Sequence, residues 1–178
     1  MRIIAGTLKG RRLDAPTWPG LRPTSDKLRE TLFNVLQGRL PGARVLDAFA
    51  GTGAVGIEAL SRGAAHVTFV ERDARARTLI AANLARCGLG AAGGYTIERG
   101  SAEDVLSRLE PVYDVVFLDP PYDEPDLAAA VTLGAGLLAA GGICVLEHAS
   151  RRVAPEAAGA PPGRRLVAGD SALAFYGR

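Results

Sequence analysis

The tetrapeptide Asp119-Pro120-Pro121-Tyr122 carries the residue types in this chain that are best suited to catalysis. It follows residues 115–118, an apolar run that predicts a buried strand, so we expect it at the sheet edge where ligands bind. Two successive prolines fix φ and remove backbone donors, which leaves the Asp119 carboxylate and the Pro120 carbonyl as a rigid set of acceptors. Acceptors suit an NH2 group, and Tyr122 offers an aromatic face on which a base can stack.

This arrangement fits chemistry on the exocyclic amino group of a nucleobase. The lone pair of such a group is delocalised into the ring, so the nitrogen is a poor nucleophile. Hydrogen bonds to Asp119 and Pro120 would draw the amino hydrogens out of conjugation and aim the nitrogen at an electrophilic methyl group, mostly by positioning and electrostatics. We therefore predict that Asp119, Pro120, Pro121 and Tyr122 are catalytic; the alternative is a rigid turn with a packed aromatic ring.

A second segment, VLDAFAGTGAVG, predicts a nucleotide-type cofactor. Gly51, Gly53 and Gly56 have the G-x-G-x-x-G spacing, and Glu71 lies 20 residues beyond Gly51, where a carboxylate can accept hydrogen bonds from ribose hydroxyls. These features suit NAD and S-adenosylmethionine alike. Asp47 separates the two, because its carboxylate would repel a pyrophosphate and attract the ammonium and sulfonium groups of S-adenosylmethionine. The sequence therefore predicts S-adenosylmethionine as the cofactor. The alternatives are that the glycines form a tight turn without a ligand and that Glu71 is a solvated loop carboxylate.

Alternating strands and helices must position these two segments. Such alternation of β-rich with Ala- and Leu-rich runs is typical of a parallel sheet with helices on both faces. We predict strands over 44–48, 66–70, 95–99, 113–118 and 142–147, and helices over 53–62, 73–86, 102–109 and 126–139. Residues 164–168 and 172–176 then form a hairpin. Five parallel strands and an antiparallel hairpin predict an α/β, Rossmann-like fold with the seven-stranded sheet of S-adenosylmethionine-dependent methyltransferases.

The first 40 residues are predicted to form a substrate-binding extension that precedes a methyltransferase domain at 41–178. Within the extension, residues 2–16 are expected to form a short β-ribbon that docks on the main domain. A helix capped by Thr24 or Ser25 comes next, with apolar residues at helical spacing.

The extension is also basic. Residues 1–30 hold seven Lys or Arg against three acidic residues, a net +4, while the remainder sums to −2. This predicts contact with a phosphate backbone, through Arg11 and Arg12, with a solvated surface as the alternative. Arg29 and Glu30 are expected to be an ordinary helix-surface pair.

The composition narrows the class of protein further. No apolar run approaches the roughly 20 residues that cross a bilayer, and no basic segment is followed by an apolar one as in a signal peptide. We therefore expect a soluble, cytoplasmic monomer with no membrane contact. Cys87 and Cys144 stand far apart without a His cluster, so we expect two buried apolar side chains and no metal site or disulfide.

Four segments, GLRPTSDKLRETLFNVL, LDAFAGTGAVGIEALSRGA, FVERD and LDPPY, resemble in order and spacing the RsmD-like family of bacterial 16S rRNA guanine-N2 methyltransferases, which act on guanine 966. The resemblance covers nearly the whole chain, including the tail VAGDSALAFY. It implies that the substrate is 16S rRNA within assembled or assembling small ribosomal subunits. Thr52 stands where Ser is common in the family and Tyr122 where Phe is frequent, and neither difference is expected to affect activity.

The resemblance also implies where each site residue lies. The loop at 20–24 would cover the cofactor and the target pocket. The residues implied at the cofactor are Asp47, Phe49, Ala50, Gly51, Gly53 and Thr24, with Glu71 at the ribose and Ser101 and Ala102 near the adenine. The residues expected at the substrate are Arg11, Arg12, Arg22 and Tyr122, and 119–122 would hold the base.

Three other functions remain alternatives. A DNA adenine or cytosine amino-methyltransferase would use the 119–122 tetrapeptide equally well, but the extension leaves little room for the target-recognition domain that such enzymes normally carry. An NAD-dependent oxidoreductase is disfavoured by Asp47 and by the lack of a plausible hydride site. A non-catalytic RNA-binding assembly factor is disfavoured by the intact Asp119 and Pro120.

Overall fold

The β-branched and aromatic runs form one seven-stranded sheet. The computed structural model describes residues 1–19, 26–90, 93–121, 124 and 126–177. In chain order the strands are β1 (Arg44–Asp47), β2 (His66–Glu71), β3 (Tyr95–Arg99), β4 (Tyr113–Leu118), β5 (Leu138–Ala149), β6 (Arg164–Ala168) and β7 (Ser171–Gly177). Their spatial order is β3-β2-β1-β4-β5-β7-β6, with β1 to β5 parallel and β7 antiparallel to β5 and β6. The predicted α/β sheet with an antiparallel C-terminal hairpin is confirmed.

Helices cover both faces of this sheet. The helices are α1 (Asp26–Leu36), α2 (Ala54–Ser61), α3 (Ala74–Arg86), α4 (Ala102–Leu106) and α5 (Leu127–Gly136). Successive strand side chains point to opposite faces, so Val45 and Phe117 pack with α1, α2 and α3, while Leu46 and Leu118 pack with α4 and α5. Because both faces are buried, the central strands carry apolar residues on both sides.

The largest shift in element bounds lies between α5 and β5. The sequence predicts a helix over 126–139 and a strand over 142–147. In the structure, the helix ends earlier because Leu138 already pairs with Tyr113 of β4, so the strand begins directly after the helix cap. The strands β3 and β4 have the predicted bounds.

The N-terminal ribbon is shorter than predicted. In the described part of the extension, antiparallel pairing is limited to one bridge between Arg2 and Arg12. Ile3 and Leu13, on either side of the turn, are buried in the same apolar cluster as α1 and α2. The ribbon is therefore held by packing on the main domain more than by its own ladder, as expected for a piece too small to fold alone.

A buried carboxylate on α2 anchors the extension. Glu58 accepts hydrogen bonds from Ile4 N at 2.7 Å and Ala5 N at 3.0 Å. Arg62 Nε donates to the same carboxylate at 2.7 Å, and Arg29 Nη1 lies 3.8 Å from it. Two guanidinium groups thus offset the charge of a side chain with no exposed surface.

The predicted surface pair of Arg29 and Glu30 is wrong for Arg29. Its side chain is fully buried, donates to Asp26 at 2.6 Å and donates to the Arg2 carbonyl at 2.9 Å. The reason is helical periodicity, since Arg29 stands one turn before the buried Phe33 and so shares the inward face of α1.

The structure also bears on the predictions for the two cysteines and for membrane spans. Both cysteines, Cys87 and Cys144, are buried, and burial raises the pKa of the Cys144 thiol to about 12. Among the described residues, no helix has the length and apolar character that a membrane span requires.

Candidate active site

A cavity of about 830 Å³ opens at the carboxyl ends of β1, β2, β4 and β5. This volume lies within the range of about 300–1,000 Å³ that is typical of small-molecule sites. The cavity brings together residues from both motifs. The predicted residues that line it are Asp47, Phe49, Ala50, Gly51, Glu71, Ser101, Ala102, Asp119, Pro120 and Pro121. The predicted residues that lie outside the described part of the chain are Arg22, Thr24 and Tyr122.

The three glycines after β1 have different roles. Gly51 and Gly53 have positive φ values of 54° and 76°, which other residues rarely adopt. Gly51 lines the cavity, whereas Gly53 does not and instead lies 3.2 Å, measured from an added Cβ, from Ile80 of α3. A Cβ on Gly56 would lie only 2.2 Å from the ring of Phe69. Gly56 therefore permits close packing of α2 on the sheet, and Gly53 shapes the turn rather than the cavity wall.

Asp47 occupies a buried position at the end of β1. Its carboxylate accepts a hydrogen bond from Gly56 N at 3.0 Å, so it binds the first turn of α2. Burial raises its pKa from 3.8 to about 7; the Gly56 bond opposes the rise, and the charges of Asp119 and Glu71 add to it. Before a ligand binds, Asp47 is thus close to half-protonated at neutral pH, and a cationic ligand group would favour its charged form.

Glu71 links the glycine loop to the start of α3. One carboxylate oxygen accepts a bond from Gly51 N at 2.9 Å, and the other accepts one from Asp73 N at 2.8 Å. A carboxylate offers about four acceptor positions, so two bonds leave capacity for ribose hydroxyls. Glu71 is therefore held in a fixed orientation while it lines the cavity.

Ser101 begins α4 on the same side of β1 as Glu71. Its hydroxyl accepts a bond from Asp104 N at 3.1 Å, which caps the helix. Ser101 and Ala102 both line the cavity, so the cap also shapes the wall.

Asp119 has carboxylate neighbours on both adjacent strands. Phe117 pairs with Asp47 of β1 and with Val145 of β5, so Asp119, two residues on, lies between the ends of these strands. Glu147, two residues beyond Val145, is buried and lines the same cavity. Glu147 was not predicted from the sequence, although its place at the end of a parallel strand could have indicated it.

The cavity wall is strongly acidic. Its described residues include nine carboxylates and two arginines, Arg72 and Arg75. The carboxylates are Asp47, Glu71, Asp73, Glu103, Asp119, Glu124, Asp126, Glu147 and Asp170. Such a wall favours a cationic ligand and disfavours a pyrophosphate.

The extension contributes a further residue to the cavity wall that was not predicted from the sequence. Trp18 lines the cavity, and the Arg75 guanidinium carbon lies 5.1 Å from the centre of its ring. Its place in a proline-flanked segment, as the one tryptophan of the chain, could have indicated a role.

Arg11 and Arg12 are exposed and do not line the cavity. Arg11 donates to the Arg86 carbonyl at 3.3 Å, at the C-terminal end of α3, whereas the cavity touches the first turn of that helix. A role of these arginines in substrate binding therefore requires a substrate that extends well beyond the cavity.

This chain is similar to known proteins of one family. The family described as Conserved hypothetical protein 95 matches residues 1–177. YlbH of Bacillus subtilis is 40% identical over 164 residues, which cover 89% of this chain and 88% of YlbH. Ribosomal RNA small subunit methyltransferase D of Escherichia coli is 41% identical over 133 residues, which cover 75% of this chain and 66% of that protein. The solved structure of Escherichia coli yhhF has a TM-score of 0.86 at 36% identity and covers 100% of this chain and 97% of that one.

The fold extends to more distant methyltransferases. The structure of SMU.776, complexed with S-adenosylhomocysteine, has a TM-score of 0.62 at 22% identity, over 71% of this chain and 36% of that one. Fold and relatives together define a methyltransferase, which confirms the predicted fold class. The acidic cavity beside the glycine loop fits the predicted cofactor, S-adenosylmethionine. Within that class, the chain belongs to the RsmD-like family, as its motifs predicted.

Proposed function

We propose that this protein methylates RNA of the small ribosomal subunit, at the N2 amino group of guanine 966 in 16S rRNA. The observation that carries the proposal is that Asp119 and its two prolines line the same cavity as Asp47 and Glu71. The name of the Escherichia coli relative, ribosomal RNA small subunit methyltransferase D, supports small-subunit RNA as the substrate. The choice of guanine and its position rests on the resemblance of the motifs to the RsmD-like family.

Strand order supports a division of the cavity into two halves. Glu71 and Ser101 lie on the β2 side of β1, where the nucleoside of the cofactor would bind. Asp119 and Pro120 lie at the end of β4, on the other side of β1, where the target base would bind. Asp47 stands between the halves, so the reacting atoms would meet near the end of β1.

The hydrogen-bond acceptors at the end of β4 would perform the catalytic role. When bound, S-adenosylmethionine supplies an electrophilic methyl group on a positively charged sulfur. The Asp119 carboxylate and the Pro120 carbonyl would accept hydrogen bonds from the two amino hydrogens and hold the nitrogen in line with that methyl. The Asp119 carboxylate would stabilise the positive charge that develops on the nitrogen as it takes up the methyl group, and would accept the proton that the nitrogen then loses.

The extension would bind the RNA outside the cavity. The exposed Arg11 and Arg12 are proposed to contact phosphates of the RNA. These contacts would position the small ribosomal subunit on the enzyme without contributing to the chemistry. Ribosomal RNA within a particle can reach both this surface and the cavity, because it is much larger than the enzyme domain.

The proposal is tested by methyl transfer from labelled S-adenosylmethionine to small-subunit particles purified from cells that lack this methylation. We expect one labelled guanine at position 966, mapped by nuclease digestion and mass spectrometry, and labelling at a rate about 10²–10³ lower with Asp119→Asn. Glu110→Gln, an exposed carboxylate-to-amide change before β4, is the matched control and should retain activity. Labelling of adenine or cytosine in duplex DNA, with none in the particles, would refute the proposal and favour a DNA amino-methyltransferase.

A further inference from the structure

Trp18 connects the N-terminal extension to the cavity. It follows the ribbon and lines the cavity wall together with Glu71, Asp73 and Arg75. Its ring is half-buried, and the Arg75 guanidinium lies over it at 5.1 Å. This distance is within the range of a cation–π contact. The contact places Trp18 beside Arg75, in the first turn of α3 directly after the end of β2.

Arg75 is held in place from its other side. Its Nη2 lies 2.8 Å from Asp73 Oδ2, and its Nε lies 3.3 Å from Asp73 Oδ1, so the guanidinium uses two donors on one carboxylate. Asp73 in turn caps α3 and donates its backbone N–H to Glu71. These contacts form a continuous series from Glu71 through Asp73 and Arg75 to the indole of Trp18.

We propose that Trp18 is the outer wall of the cofactor site and contacts the nucleoside half of S-adenosylmethionine, with Arg75 as the positioning residue for the indole. The inference rests on the proposed function, which places the nucleoside beside Glu71. A guanidinium packed on one face fixes the orientation of the ring and leaves the rest of its surface for stacking and apolar contact. The nucleoside is favoured over the target base as its ligand, because Trp18 contacts Arg75 after β2, whereas Asp119 and Pro120 follow β4 on the other side of β1.

The single tryptophan provides a direct measurement, since its emission comes from this site alone. S-adenosylhomocysteine is titrated into the full chain, with binding followed both by calorimetry and by tryptophan emission. A second titration uses 5′-methylthioadenosine, which carries the nucleoside but lacks the amino acid part. We expect emission to change with the calorimetric midpoint for both ligands.

Variants separate a contact from a merely structural role. Trp18→Ala should weaken both ligands by about tenfold, as expected for loss of one stacking partner, and Trp18→Phe should restore most of that affinity. Arg75→Ala should weaken them by a smaller factor and alter the tryptophan emission of the protein before ligand is added. Because Arg75 acts through the indole, adding Arg75→Ala to Trp18→Ala should cause no further loss. Thr17→Ala, an exposed neighbour outside the cavity, is the matched control.

The outcomes distinguish this inference from the proposed function. If the unaltered protein binds S-adenosylhomocysteine but Trp18→Ala binds it equally tightly, Trp18 is not part of the cofactor site and the inference fails alone. If Trp18→Ala weakens only binding of small-subunit particles, Trp18 belongs to the substrate surface and the inference fails as well. Absence of any binding by the unaltered protein would overturn both the inference and the placement of the cofactor.

Discussion

The raised pKa of Asp47 predicts that the protein releases a proton when the cofactor binds. Its pKa is raised to about 7 before a ligand binds, first by burial and then by the charges of Asp119 and Glu71. The ammonium and sulfonium groups of S-adenosylmethionine favour the ionised carboxylate, so binding lowers this pKa and expels the proton. With a pKa of about 7, roughly half of the Asp47 carboxylates are ionised at pH 7 and about one tenth at pH 6. Affinity should therefore fall about fivefold from pH 7 to pH 6.

Calorimetry in buffers of different ionisation enthalpy measures this linkage. At pH 7, about half a proton should be released for each S-adenosylmethionine bound. The titrations are kept at or below pH 7 because the ammonium of the ligand loses its proton near the ordinary α-amino pKa of about 8. Asp47→Asn serves as the control, since its amide oxygen can still accept the bond from Gly56 N while it cannot titrate. That variant should bind more weakly at pH 7 and show no dependence on pH between 6 and 7.

Asp47 also makes the stability of the protein without ligand depend on pH. Its contribution to stability decreases as pH rises, whereas cofactor affinity increases. The folded protein without ligand keeps the Asp47 proton up to about pH 7, whereas the unfolded chain releases it near 3.8. The contribution of Asp47 to stability therefore falls as pH rises from about 4 to 7, and Asp47→Asn should raise the melting temperature of the protein without ligand at pH 8. Proton release close to zero at pH 7, together with an unchanged melting temperature in Asp47→Asn, would refute a raised pKa at this site.

Three other sets of substitutions should have measurable effects. Asp119→Asn should fold and bind S-adenosylhomocysteine normally but lose about 10²–10³ in single-turnover methyl transfer to small-subunit particles, and near-normal turnover would remove Asp119 from the chemistry. Alanine at both Arg11 and Arg12 should reduce the salt dependence of particle binding by a slope of about one per lost phosphate contact, with cofactor affinity unchanged; an unaltered slope would make them ordinary surface residues. Gly56→Ala should lower the free energy of unfolding in denaturant by about 1–3 kcal/mol, because its Cβ would lie 2.2 Å from Phe69. The control Gly136→Ala has open space around it and should be neutral or stabilising. Equal effects of the two substitutions would contradict the packing role of Gly56.

The carboxyl ends of the parallel strands were the most predictable part of the site. Asp47, Glu71 and Asp119 each follow an apolar run, and a parallel sheet brings such positions to one edge whatever the details of packing. The same rule could have predicted Glu147, because the predicted strand over 142–147 ends at this residue. The bounds of β5 were less predictable, because its start at Leu138 depends on pairing with Tyr113 of β4 and its end at Ala149 on pairing with Ser171 of β7.

Residues whose roles depend on contacts distant in the chain were not predictable. Arg29 looks like a surface residue because it is charged, and only its inward position on α1 and its approach to Glu58 reveal a buried ion pair. The glycine spacing is equally silent on which glycine meets the ligand. Gly56 is required by the close approach of Phe69, a side chain that the motif does not contain, and Gly53 is required by its positive φ.

The extension illustrates how a buried polar residue can join two parts of the site. Asn83 of α3 accepts a bond from Asp14 N at 2.7 Å and donates to the carbonyl of Thr52 at 3.0 Å and to that of Asp14 at 3.2 Å. One amide thus fixes the end of the ribbon and the loop after β1 relative to each other, and an amide buried in this way is costly to leave unpaired. Trp18, four residues after Asp14, is therefore held at the cavity by the same helix that carries Arg75. Asn83 thus joins the extension and the loop after β1 into one structural unit. Changes in the ribbon that disturb Asn83 are expected to alter both cofactor affinity and the proposed RNA binding. Changes confined to the exposed arginines are expected to alter the proposed RNA binding alone.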